Sequence, residues 1–218
     1  MSADRSFSDA FVFGGTDFDF FSGYADVTAQ IGGNGLYTFT GLTVNNGGQY
    51  CASQAVVAGW SLVVVYEHPD EDLRAVNIFD GFELFRSDSL TLTVDTYRIP
   101  SSPINGKLTA ITWEGDPQNS GSLGGFSESL LFNGNLLDDG RIPPASSPSV
   151  QQFHGTVNTS ASTTSHGVDV DTSDVSPFLS AGDTSASMTF SSGADLVLPS
   201  AEIISFTSEP VVDLEISK

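Results

Sequence analysis

The segment Gly167-Val168-Asp169-Val170-Asp171-Thr172-Ser173-Asp174 is the best candidate for metal chemistry in the chain. In an extended backbone Asp169 and Asp171 project to the same side, about 7 Å apart, and Asp174 folds back at the following turn. Hard carboxylate oxygens, with backbone carbonyls, suit Ca²⁺, whose flexible coordination tolerates irregular loops. The segment lacks the glycine and terminal Glu of a helix–loop–helix calcium site. The competing reading is an Asx turn and helix N-cap, with Asp171 or Asp174 accepting backbone N–H groups. A second acidic group begins at Trp113-Glu114-Gly115-Asp116, with Glu128 at the start of the next strand-like run. Glu114, Asp116 and Glu128 can meet across a hairpin and share a cation, or pose as the acid and nucleophile of a glycosidase. A turn capped by Asp116 is the simpler account.

Other reactive constellations are missing. His68, His154 and His166 lie far apart and show no paired ligand spacing, which argues against a catalytic zinc site. The serines sit in Ser/Thr tracts without a Gly-x-Ser-x-Gly elbow. Glycine clusters do not precede helices, so nothing points to a phosphate cradle. Cys51 stands alone; it excludes an intrachain disulfide and reads as a buried structural thiol. Among the large aromatics, Trp60 sits in an apolar run and reads as core. Trp113 and Tyr97 are the candidate platforms for stacking on a sugar ring, with Tyr24 and Tyr50 behind them, although most aromatics in a sandwich are packing.

Charge narrows the partners. The net charge is −20, from 27 acidic against 7 basic residues, and Lys107 and Lys218 are the only lysines. A basic groove for nucleic acid is thereby excluded, and contact with an anionic membrane surface is disfavoured. Most of these carboxylates read as solvated surface charge. Hydrophobic residues make up 39% of the 218-residue chain and aromatics 11%, enough for a substantial core. No segment approaches the roughly 20 apolar residues that span a bilayer. A basic n-region followed by an apolar stretch is also missing at the start, so an exported form would already have lost its signal.

The elements that must position these residues are strands. Ala58 to Glu67 is a β-branched apolar run that reads as a strand buried on both faces, followed by Asn77 to Phe82, a short strand closed by Asp80-Gly81. Leu90-Thr91-Leu92-Thr93-Val94 alternates cleanly, as a strand with one buried face does. Phe11 to Phe13, Ala25 to Ile31, Leu36 to Thr40, Leu42 to Val44, Leu108 to Trp113, Ser129 to Phe132, Ser187 to Phe190 and Ala201 to Phe206 continue the series. Gly14-Gly15 separates two such runs, and Asn105-Gly106 and Asn133-Gly134 are hairpin dipeptides. At most one short helix is expected, over Asp174 to Leu179. Stretches 116–126 and 138–152 read as long surface loops. About ten to fourteen strands at this spacing predict an all-β, jelly-roll-like β-sandwich. One domain is expected over residues 1–208, with 209–218 opening a strand or linker toward a following module.

Several segments together resemble an N-terminal β domain of very large bacterial surface proteins, where it stands ahead of tandem immunoglobulin-like repeats. They are Tyr24-Ala25-Asp26-Val27-Thr28, Gly33-Asn34-Gly35-Leu36-Tyr37-Thr38, Ala58 to Tyr66, Arg74, Asn77 to Phe82, Trp113-Glu114-Gly115-Asp116, Asn133-Gly134, Gly167 to Asp171 and Asp213 to Lys218. The match is collinear over most of the chain. The resemblance implies an extracellular, cell-surface location and a non-enzymatic, adhesin-like or structural role. Its partners would be a glycan, a protein surface or copies of itself. Calcium-assisted carbohydrate binding and assembly into a surface layer or fibre are the alternatives.

Overall fold

The computed structural model describes residues 2–52, 56–115, 128–137, 152–160, 165, 167–193 and 195–210. The loop expected at 116–126 lies outside them, as do all of the loop at 138–152 except Gln152 and the strand expected beyond Pro210.

Ten antiparallel strands account for nearly all regular structure among the described residues. Strands β1 (Arg5–Phe13) and β2 (Thr16–Tyr24) form a hairpin. Gly14 and Gly15 turn it with φ of 60° and 79°, the two left-handed residues that a tight hairpin with the right strand twist requires. One four-stranded sheet has the order β3–β10–β5–β8, from Arg74–Asp80, Leu198–Thr207, Gly106–Gly115 and Gly167–Asp174. The other has the order β4–β9–β6–β7, from Ser89–Val94, Ala186–Ser191, Ser129–Phe132 and Asn135–Leu136. Asn133 and Gly134, both at positive φ, join β6 to β7 as the dipeptide predicts. Asn105-Gly106 instead leads directly into β5 and makes no hairpin.

The two larger sheets pack face to face as a β-sandwich. Leu108, Ala110, Ile204 and Phe206 of the first meet Val94, Ala186, Met188, Phe190, Leu130 and Phe132 of the second in one buried cluster. Phe132 and Phe206 cross the interface with ring centroids 6.1 Å apart. Alternation explains the inward set: in β9, Ala186, Met188 and Phe190 are buried while the residues between them are half-buried. A five-residue helix, α1 (Gly48–Ala52), lies against the hairpin through an edge-on contact of Tyr50 with Phe18. A single 3-10 turn, Ser176–Phe178, follows β8 where a short helix was expected.

Residues 58–67 depart from expectation. They form no strand, and most of their side chains are exposed, with Val64 at 52% and Tyr66 at 80%. The run lies across the outer face of the first sheet, where Ser61 to Val64 face Thr109, Ile111, Val170 and Ile203 over a groove of about 390 Å³. Strand propensity reflects fit to a pleated, half-buried surface rather than a backbone preference. Here β10 and β5 hold the interior places in the sheet, and the apolar run serves as a cover. Residues 25–27, 31 and 36–44 likewise lie outside strands, with a 3-10 turn at Thr28–Gln30. Trp60, expected in the core, is 54% exposed and stacks on Phe39. Cys51, expected buried, is exposed on α1.

These placements separate two substitutions that composition would rank alike. Phe206→Ala should cost about 3–5 kcal/mol by opening a cavity between the sheets. Val64→Ser should fall within about 0.5 kcal/mol of the parent. Urea unfolding of the two variants measures both; a large loss from Val64→Ser would mean that the run is a core strand after all.

Candidate functional site

Strand register alone carries a set of polar residues into the sandwich. Residues directly opposite in a ladder share a face. Ala110 of β5 pairs with Asp171 of β8 on one side and Glu202 of β10 on the other, and Thr112 pairs with Asp169. Ala110 faces the core, so Asp171, Glu202, Thr112 and Asp169 do too, and all are at least 95% buried. The inner face is thus apolar at the Leu108–Ile204 row and turns polar over the next two rows.

A short segment completes the cluster from outside the ladder. Residues 156–158 cover the free edge of β8: the Val170 N–H donates to the Thr156 carbonyl (2.9 Å). The Asn158 amide then both donates to the Thr172 carbonyl (3.0 Å) and accepts its N–H (2.9 Å), as a neighbouring strand would. Just upstream, the backbone N–H groups of His154 and Thr156 both donate to Asp169 Oδ2, at 3.0 and 3.1 Å. The Phe153 N–H donates to Glu128 Oε2 at 3.1 Å. His154 is therefore delivered into the interior, its Nδ1 3.2 Å from Asp169 Oδ2 and its side chain wholly buried. His154, Asp169 and Asp171 each offer a ligand atom within 4.8 Å of the other two. The three can hold a metal ion through nitrogen and oxygen.

Burial sets the electrostatics here. Removing a carboxylate from water disfavours its charged form. Glu202, with no cationic neighbour to offset that, is pushed up to about 8. Its Oε1 has no hydrogen-bond partner, and the same holds for Thr112 Oγ1, Thr156 Oγ1, Gln152 Oε1 and His154 Nε2. Asp174 behaves in the opposite way. The hydroxyl and amide of Ser176 donate to its Oδ1 at 2.6 and 3.0 Å and hold its carboxyl below the usual range.

Only part of the expected acidic trio comes together. Asp169 and Asp171 share the inner face, whereas Asp174 lies on the opposite, exposed face and forms the Asx turn that opens the 3-10 turn. An odd residue offset in a strand puts it there. Glu128 points into the interior, beside the His154 segment rather than into a surface cation site; Asp116 and the Glu114 side chain lie outside the described residues. Tyr97, expected as a stacking platform, is a core residue at 3% exposure, packed on Phe206 at 4.4 Å. Burial, with the Asp183 charge behind it, pushes its hydroxyl up to about 12. Trp113 is half-buried, its Nε1 donating to Ser200 Oγ at 2.9 Å and its ring against Gly59, where a Cβ would come within 2.8 Å. His154 is the residue that pairwise spacing missed. The available signal was its place upstream of a Thr-x-Asn edge segment, with Asp at alternate positions in β8.

An all-β sandwich with a buried acid–histidine cluster defines the class. The chain belongs to the family described as "Protein of unknown function (DUF3344)", whose model matches residues 2–206. No curated protein matches it.

The Glu202 environment gives a pH test. The folded state keeps the proton up to about pH 8, whereas the unfolded chain releases it near the ordinary value of 4.5. The folded state therefore binds more protons across that window, and stability falls as pH rises through it. Glu202→Gln, which mimics the protonated acid, should be more stable than the parent by on the order of a few kcal/mol at pH 8, with the gain vanishing at pH 4.5 and below. Equal melting temperatures at both pH values would show that Glu202 is not held neutral.

Proposed function

We propose that this chain is a non-enzymatic extracellular module of a bacterial surface protein, adhesin-like or structural, that acts through its outer apolar face. One observation carries the reading: an exposed apolar stretch runs over that face of the first sheet. Val76 and Ile78 of β3 are 40% and 44% exposed, and Ile78 pairs with Ile203, which the 58–67 run partly covers. Val63, Val64, Val65 and Tyr66 of that cover are themselves between 38% and 80% exposed. Contiguous apolar surface of this kind marks an interaction site more often than it marks an idle surface. The strongly acidic balance favours solubility and disfavours anionic partners.

Carbohydrate recognition is the second reading, and Trp60 favours it rather than Trp113 or Tyr97. Its ring stands exposed beside Phe39, with centroids 5.9 Å apart and planes 26° from parallel, an aromatic platform open to a pyranose face. Calcium assistance does not fit such a site. Asp169 and Asp171 project from the opposite face of the sheet, so an ion bound there cannot bridge to a sugar on the outer face.

Glycan-array binding and sedimentation velocity, run on the parent and on the Val64→Asp/Tyr66→Asp double variant, test the proposal. The parent should bind an immobilised ligand or self-associate with concentration, and the variant should lose that property at an unchanged melting temperature. Loss in a Trp60→Ala variant alone would select the carbohydrate reading. A parent that stays monomeric and binds nothing, or a variant that binds equally well, would refute the outer-face role.

A further inference from the structure

We infer that His154, Asp169 and Asp171 form a site for a divalent transition ion of the zinc and manganese class, between β8 and the segment that covers its edge. The three ligand atoms already converge within 4.8 Å, and all three residues are buried. A second observation concerns the ring itself. His154 is wholly buried, and its Nδ1 stands 3.2 Å from Asp169 Oδ2, a separation that one ion bridges at metal–nitrogen and metal–oxygen lengths of about 2.0–2.2 Å. Its Nε2 is buried with no hydrogen-bond partner, so among the described residues only Asp169 addresses this imidazole. Thr112 Oγ1 opposite Asp169, and Thr156 Oγ1 beside it, are also buried and unpartnered.

The donor set also selects the ion. Imidazole with carboxylate oxygen suits zinc, manganese and iron, whereas Ca²⁺ and Mg²⁺ take oxygen ligands. Replacing Asp174 by His154 in the trio therefore replaces calcium with a transition ion. Because His154 and Thr156 are held by the same Asp169 oxygen, the ion would fasten the edge segment to β8 and would bind the folded state only.

The tag-free chain, stripped with EDTA and dialysed, decides the matter by thermal unfolding against ZnCl₂, MnCl₂ and CaCl₂, with elemental analysis after gel filtration. At a hundredfold excess over Kd, Zn²⁺ or Mn²⁺ should raise the melting temperature by about 5–10 °C. One ion should be retained per chain, and Asp171→Asn and His154→Gln should each abolish the shift. If a variant fails to fold, calorimetric titration of the stripped parent must still give a stoichiometry of one. No shift with either transition ion, a shift retained in both variants, or a shift with Ca²⁺ alone would overturn the assignment.

Discussion

Asp169 Oδ2 holds the polar half of this molecule together. That one oxygen accepts the backbone N–H groups of His154 and Thr156 and lies against the His154 ring. The covering segment adds little pairing of its own beyond the bridge at Val157 and Val170 and the Asn158 contacts. An open strand edge exposes unpaired N–H and C=O groups and invites other chains. At β8 the edge is closed by a buried carboxylate that gathers the segment's donors, with Asn158 reproducing a strand's hydrogen bonds further along. Two backbone donors gathered on one buried oxygen hold a short, irregular segment this way without a full ladder.

That solution puts charge into the sandwich, and the sheet accommodates it by rows. The Leu108–Ile204 row and the rings of Phe132, Phe190 and Phe206 form a continuous apolar block. One row further on, Ala110 stands between Asp171 and Glu202, and a small residue there leaves room for both acids on the inner face. The cost of desolvation is visible at Glu202, which stays protonated far above the ordinary range, while Asp169 is compensated by its donors. Burial thus keeps Glu202 neutral, while Asp169 Oδ2 is met by the N–H groups of His154 and Thr156.

Legibility in the sequence followed the kind of interaction involved. Ladder-local features could be read: the alternation of Leu90, Leu92 and Val94, the same-face placement of Asp169 and Asp171, and the Gly14-Gly15 and Asn133-Gly134 turns all depend on residues adjacent in sequence or offset by two. The run at 58–67 misled because its composition suits a buried strand equally well whether or not the sheet has a place for it. Trp60 followed the same error, since its burial was inferred from that run. His154 could not be found from spacing. It reaches Asp169, fifteen residues away, through side-chain-to-backbone hydrogen bonds that carry no period.

The two faces of the first sheet therefore have opposite characters set by a single parity. Residues of β5 alternate between Thr109 and Ile111 outward and Leu108, Ala110 and Thr112 inward. A one-residue slip in β8 would exchange Val170 for Asp169 and Asp171, placing the acids under the apolar cover and an aliphatic side chain against His154. Neither face would survive that exchange: the cover would lose its apolar floor, and the edge segment would lose the oxygen that holds it. Register is thus pinned from both sides at once, by apolar burial outside and by the donors on Asp169 inside. This is a stronger constraint than either a polar or an apolar face supplies alone, and it lets an edge strand carry buried charge without losing its alignment.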